Sequence, residues 1–110
     1  MKTIQFIKDI DMISASEMLK DKEVSQLFDG AFRKLVEVRL QNGAVLSRHK
    51  ANEPITVFVV SGNGVFTAGA DLEDSRILRA GTLITLEGGV EHEVAADPEI
   101  HLIVTKFKDS

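Results

Sequence analysis

Two of the three histidines in the chain, His49 and His92, occupy positions where imidazole chemistry could take place. His49 ends a short run that begins after Gly43, and His92 follows the glycine pair Gly88-Gly89. Two imidazoles on one concave surface could hold a divalent metal such as iron, manganese, nickel or zinc, with water or substrate completing the shell. Without metal, the pair could bind an anionic or polar ligand, or act as general acid or base.

A metal site with an exchangeable position usually keeps three protein ligands, so a third donor is needed. Glu53 is the first candidate because it shares strand parity with His49, although Pro54 interrupts a regular strand at that point. Three more candidates lie near His92 in the sequence: Glu87, Glu91 and Glu93. If His92 points into the pocket, strand alternation turns its neighbours Glu91 and Glu93 away from it. Since two histidines alone make a weak metal site, the sequence favours a pocket without metal.

The remaining histidine, His101, lies near the start of the last apolar run, and its face is ambiguous. It is typical of a surface histidine that is solvated or bonded to a partner, with the pocket as the alternative. The chain has no cysteine, which excludes disulfides, thiolate nucleophiles and zinc–thiolate sites. No serine lies in a recognisable nucleophile elbow, so no catalytic residue is assigned.

Short strands must position these side chains. Asp29-Gly30 between two apolar runs predicts a β-hairpin, and Asn42-Gly43 is a second turn signal of the same kind. Over 32–40, apolar side chains share one face and charged ones, including Glu37, take the other, as in a half-buried strand. The predicted strands cover 24–28, 31–40, 45–48, 55–60, 64–68, 76–78, 83–86, 90–95 and 100–107.

Turns separate these strands, among them Gly62-Asn63-Gly64 and Asp97-Pro98. Short strands at this spacing indicate an all-β sandwich or barrel. The capping-box pattern Ser14-x-x-Glu17 adds a short N-terminal helical segment at about 15–20.

Residues 55–60 are apolar on both faces of their predicted strand. One face lines the core, and the other has to be covered or it would be an exposed apolar patch. The sequence therefore predicts a homodimer in which sheets pack across the interface. The alternative is that the N-terminal segment of the same chain covers that face.

The spacing of glycines and histidines from Gly43 to about Phe107 resembles the cupin superfamily. In the first motif, Gly43 is followed by five residues and His49, and Gly62-Asn63-Gly64 falls at the closing turn. In the second motif, Gly81 is followed by five residues, then Glu87-Gly88-Gly89, two residues and His92. The resemblance implies an all-β jelly-roll barrel, also called a double-stranded β-helix.

The resemblance extends to the scaffold more than to the metal ligands. The family's second histidine falls on Ala51, its glutamate on Ile55 or Thr56, and Glu87 replaces the proline of the second motif. It implies a single cupin domain over 1–110, with a core at about 32–107 and an N-terminal extension at 1–31.

The resemblance implies that the barrel interior binds a small molecule. The expected pocket residues are His49, His92, Val45, Ile55, Val57, Val59, Leu83 and Phe66. One alternative is a cupin enzyme, either a metal-dependent dioxygenase, decarboxylase or isomerase or a metal-free epimerase. Another is a structural or partner-binding jelly roll whose interior is filled with side chains.

The composition of the chain disfavours several classes of binding partner. The formal net charge is −4 and no basic stripe is present, which argues against nucleic acid. No apolar run approaches the length of a membrane helix and no signal peptide is evident, so a cytoplasmic protein is expected. The chain has no tryptophan or tyrosine, which disfavours a stacking platform for carbohydrate.

Overall fold

The computed structural model of the protein describes residues 3–11 and 20–108, and this part of the chain contains strands and no helix. The predicted helical segment at 15–20 lies outside the described residues except for Lys20. Within the described ranges, no helix is long and apolar enough to span a membrane. The strands are β1 Lys22–Asp29, β2 Arg33–Leu40, β3 Val45–Lys50, β4 Ile55–Ala68, β5 Asp74–Arg79, β6 Leu83–Leu86 and β7 Glu91–Phe107.

These strands form one antiparallel hydrogen-bonded sheet that folds into two layers, because the long strands β4 and β7 belong to both. The first layer has the order β1, β2, second half of β7, first half of β4, β6. The second layer has the order β3, first half of β7, second half of β4, β5. The arrangement is the all-β barrel that the sequence predicts.

Both long strands turn the corner between the layers at the same level. β4 bends at Gly62-Asn63-Gly64 and β7 bends at Asp97-Pro98. The register of their pairing shifts twice here, first by an extra residue on β4 and then by extra residues on β7. The predicted turn between separate strands is wrong at both positions. Each is a bend inside one continuous strand, because β4 and β7 stay hydrogen-bonded to each other on both sides of the corner.

Glycine is required at this corner because the two backbones approach closely. A Cβ on Gly62 would collide with the carbonyl oxygen of Glu99, and Gly62 also has a φ of +86°. A Cβ on Gly64 would lie 2.6 Å from the carbonyl oxygen of Ala95. A side chain larger than hydrogen at either position would push the paired strands β4 and β7 apart at the corner.

The two short turns before β3 behave differently. The Asp29-Gly30 hairpin is confirmed, since β1 and β2 pair antiparallel. At the second turn, Asn42 and Gly43 both have positive φ, 56° and 71°, as a tight primed turn requires. Here the flanking strands do not pair with each other: β2 pairs with the second half of β7 and β3 with the first half, so this turn carries the chain between layers.

Strand alternation places the apolar core between the two layers. Its buried members come from both halves of each long strand and from β2 and β5: Val36, Val38, Leu40, Ile55, Val57, Val59, Phe66, Ala68, Leu78, Val94, Ala96, Ile100 and Leu102. The outer face of β2 departs from prediction, because Glu37 is only 5% exposed instead of solvated.

We expect Gly62→Ala to destabilise the protein much more than Gly43→Ala. Both glycines have positive φ, which costs an alanine about 1 kcal/mol. Nothing lies within 4 Å of a Cβ on Gly43, whereas at Gly62 the backbone of β7 is in the way, adding about 2 kcal/mol. Urea unfolding measures the difference. Equal losses in the two variants would show that the corner relaxes freely.

Candidate functional site

A cavity of about 160 Å³ lies between the layers at the barrel end opposite the corner. Residues of five strands line it, and most of them are apolar: Val24, Val36, Val38, Leu46, Ala51, Ile55, Val57, Phe66, Val94, Leu102 and Val104. Its polar lining comes from His49, His92 and Lys106. An apolar concavity with few polar groups is the usual form of a small-molecule site.

His49 and His92 face each other across the β3–β7 pair. Their ring centroids are 4.2 Å apart, with the ring planes inclined at 63°. On its other side, the His92 ring stacks on Phe66 with a centroid distance of 5.6 Å and an interplanar angle of 12°. The phenyl ring and the strand pairing together fix the orientation of the buried His92 side chain.

Both imidazoles are held by backbone carbonyls through the same ring nitrogen. Nδ1 of His49 lies 2.9 Å from the oxygen of Ser47, and Nδ1 of His92 lies 3.0 Å from the oxygen of Val90. A carbonyl oxygen only accepts, so each Nδ1 donates its proton. In a neutral ring, Nε2 is then left with its lone pair as an acceptor, and no described residue bonds to it.

The protonation of His92 follows from its surroundings. Burial is the main cause that lowers its pKa, and the electrostatic influence of the neighbouring His49 and Lys106 lowers it further. The hydrogen bond to Val90 opposes them only in part. At neutral pH, His92 is therefore an uncharged ring whose Nε2 accepts hydrogen bonds.

Two loops contact each other beside the histidines and border the opening of the cavity. The amide of Gly89 donates to the carbonyl oxygen of Ala51 at 2.8 Å, and Ala51 itself lines the cavity. A Cβ on Gly88 would collide with the carbonyl oxygen of Asn52. The glycine pair thus allows the loop before β7 to lie directly on the loop after β3.

Of the residues predicted to line the pocket, the structure brings together His49, His92, Ile55, Val57 and Phe66. Val59 is buried in the core nearer the corner and does not reach the cavity.

Val45 and Leu83 were wrongly assigned to the interior, since they are 36% and 66% exposed. In β3, the register shifts between Leu46 and His49, so the bulge makes Leu46 the inward residue in place of Val45. In β6, Leu83 pairs with the exposed Phe58, and its neighbour Ile84 packs against the core instead.

The donor set does not fit a metal site with three protein ligands. Among residues 3–11 and 20–108, no three histidine or carboxylate side chains come together. Glu53, the predicted third ligand, is not brought to the two histidines, and Glu91 is held by Arg48 at 2.6 Å on the partly exposed side of its strand.

Sequence reasoning missed the cavity residue Lys106. The signal was present, because Lys106 continues the inward parity of Ile100, Leu102 and Val104 along β7. Lys106 adds a positive charge to the two imidazoles of the cavity lining.

His101 is buried at 3% exposure, so its prediction as a surface histidine is wrong although a bonded partner is present. Its Nε2 lies 2.7 Å from Oε2 of Glu37, and Lys8 Nζ lies 3.3 Å from the other carboxylate oxygen. Burial by itself would raise the pKa of Glu37, but the hydrogen bonds from His101 and Lys8 outweigh it and lower that pKa. Neither His101 nor Glu37 lines the cavity.

No protein-family model and no curated protein matches the chain. Solved structures share its fold. A conserved protein of unknown function from Streptococcus pyogenes matches with a TM-score of 0.77 at 17% identity, covering 99% of this chain and 94% of that one. An RmlC-like cupin family protein with a double-stranded β-helix fold, from Methanocaldococcus jannaschii, matches at 0.72 and 14%, covering 94% and 93%.

The DMSP lyase DddQ from Ruegeria pomeroyi matches with a TM-score of 0.73 at 15% identity, covering 88% of this chain and 51% of that one. The expected cupin fold is therefore confirmed. At these identities the likeness concerns the fold alone, so the function has to be argued from the side chains.

We expect His92 to titrate below its ordinary pKa of about 6.5 in an NMR titration of the ring protons. Because the folded pKa is the lower one, the unfolded chain takes up the proton first as the pH falls. Stability should therefore be full above about pH 6.5 and decline below it, towards the folded pKa. His92→Phe should flatten this part of the pH dependence. A His92 pKa at or above the ordinary value would contradict the proposed burial effect.

Proposed function

We propose that this cupin-fold protein binds a small organic molecule in the cavity at the open end of the barrel. One observation supports this above the others. Two imidazoles, both tied down through Nδ1, present free Nε2 acceptors to a cavity that is otherwise mostly apolar. Acceptors whose orientation is fixed by a second hydrogen bond suit a ligand with a matching donor, and His92 is also buried.

The residues that line the cavity indicate which chemical groups a ligand would need. Phe66, Val57 and Leu102 offer an apolar surface for a ring or a short chain. At the histidine end, a hydroxyl or N–H group of the ligand would donate to Nε2 of His49 or His92. The cavity leaves room for a molecule of this kind, which speaks against the alternative of an interior filled by its own side chains.

A metal-free acid–base enzyme is the second candidate. The lowered pKa of His92 makes it a neutral base near physiological pH, and His49 lies beside it as a second proton carrier. The metal-dependent enzyme is disfavoured, since the described residues supply two imidazoles and no third ligand. Turnover of a bound ligand, lost in His92→Phe, would distinguish the acid–base enzyme from a binding module.

Phenol and toluene test the binding proposal, because they differ only by a hydrogen-bond donor. In ¹H–¹⁵N NMR titrations, both should shift the amides of Phe66 and Val94, and phenol should bind about fivefold more tightly through Nε2. The double variant His49→Phe/His92→Phe keeps two rings and should remove the preference. If neither compound moved the cavity amides, or if the preference survived in the variant, the proposal would be wrong.

We also propose that the chain forms a homodimer through the outer face of the first layer. Phe58 and Leu83 are cross-strand neighbours on that face and are 42% and 66% exposed. The described N-terminal segment covers another part of the face, where Lys8 reaches Glu37, and leaves this pair open. A two-fold axis at the patch would pack Phe58 and Leu83 of one copy on those of the other.

Light scattering after size exclusion should give the wild type twice the 12.1 kDa mass of the chain. Phe58→Ser/Leu83→Ser should weaken association roughly a hundredfold, because each lost apolar contact occurs twice in a symmetric interface. Ile77→Ser on β5 is the control: it removes an equally exposed apolar residue from the other layer and should leave the dimer intact. A monomeric wild type would refute this interface.

A further inference from the structure

The cation in the cavity lacks a matching carboxylate. Lys106 lies on the inner face of β7, in line with Val104 and Leu102, and it is half-buried. No Asp or Glu is among the residues that line the cavity. Among the ion pairs of the described residues, none involves Lys106.

A second lysine stands directly opposite. Lys34 on β2 pairs with Lys106 on β7, and strand alternation from Val36 turns both towards the inside of the barrel. Like charges placed opposite each other on one face of a sheet are destabilising. The nearby carboxylate of Asp29 does not cancel both, because Lys108 already binds it. The inner rim of the barrel therefore carries an excess of positive charge.

The histidines of the cavity supply no negative charge that could balance the two lysines. His92 is close enough for the charge of Lys106 to affect its ionisation, and its ring is neutral. The apolar cavity therefore has cations at one rim, and no anion in its lining balances their positive charge. A ligand that supplies the anion would stabilise the site, whereas a neutral ligand would leave the cations unpaired.

We infer that the ligand is a small organic anion, with its carboxylate or phosphate on Lys106 and its apolar body in the cavity. This inference rests on the proposed binding function and specifies the class of ligand. Lys106 makes the direct ion pair, and Lys34 at the rim adds to the positive potential. Any hydroxyl on the ligand is left for Nε2 of His49 or His92, because those lone pairs would repel an anion's oxygens.

Benzoate, phenyl phosphate and benzamide test the inference, since they share a ring and differ in charge. Dissociation constants come from ¹H–¹⁵N NMR titrations of the full chain at neutral pH and low salt. The readout is the ratio of the benzamide constant to that of each anion. In the wild type, at least one anion should bind about tenfold more tightly than benzamide. Comparing benzoate with phenyl phosphate shows which anionic group the site prefers.

The ratio should fall to about one in Lys106→Met, which keeps the length of the side chain, and in Lys106→Gln, which keeps it polar. Lys22→Met is the matched control: it removes a lysine from β1 opposite Leu40, at the corner end of the barrel, and should preserve the ratio. A wild-type ratio near one with benzamide bound would overturn the anion inference and leave the binding function standing. The same holds if the ratio survives both Lys106 variants. Failure of all three compounds to bind would overturn both proposals.

Discussion

The close approach of β4 and β7 at the corner is the constraint on which the rest of the structure depends. Each of these strands contributes one half to each layer, so the two layers are joined through continuous backbone. The close approach is possible because Gly62 has no Cβ to collide with Glu99, and its φ of +86° is open to glycine. Without this close approach, the layers could not fold over a shared core.

The corner also determines where a ligand can enter. It closes one end of the barrel, so both long strands have their free ends at the other. His92 at the start of β7 and Lys106 near its end, more than a dozen residues apart in sequence, therefore line the same cavity. One strand thus supplies an acceptor and a cation to a single site, and β3 adds His49 beside them. The functional groups sit on paired strands, which hold side chains more rigidly than loops do.

Alternation and turn chemistry predicted much of this arrangement. The inward places of Ile55, Val57 and Phe66 follow from a period of two, and the spacing of glycines around His49 and His92 indicates the fold. The inward prediction for Val45 is wrong because a bulge shifts the register within β3. The sequence of one strand does not indicate where its register with the partner strand shifts.

The other misses share a non-local origin. Gly62-Asn63-Gly64 has the composition of a turn, and only the pairing with β7 on both sides makes it a bend. The Glu37–His101 pair joins residues 64 positions apart, and it depends on the β2–β7 register. Glu37 looks like an ordinary charged outer residue until that register is known. Lys106 is different, since its parity was readable and only its charge argued against an inward position.

The place of β7 in the chain has a consequence for biosynthesis. In the described part of the chain, half of the strand pairings need residues 91–107, namely those of β2, β3 and β4 with β7. A ribosome makes these residues after all the strands they join, so until then the nascent chain can form only the pairings of β1 with β2 and of β4 with β5 and β6. Its two layers stay open, with the future core faces of β2 and β4 in water. Closure of the barrel must then be a late, concerted event, and a chain stalled before β7 would expose apolar strand edges to chaperones or to other chains.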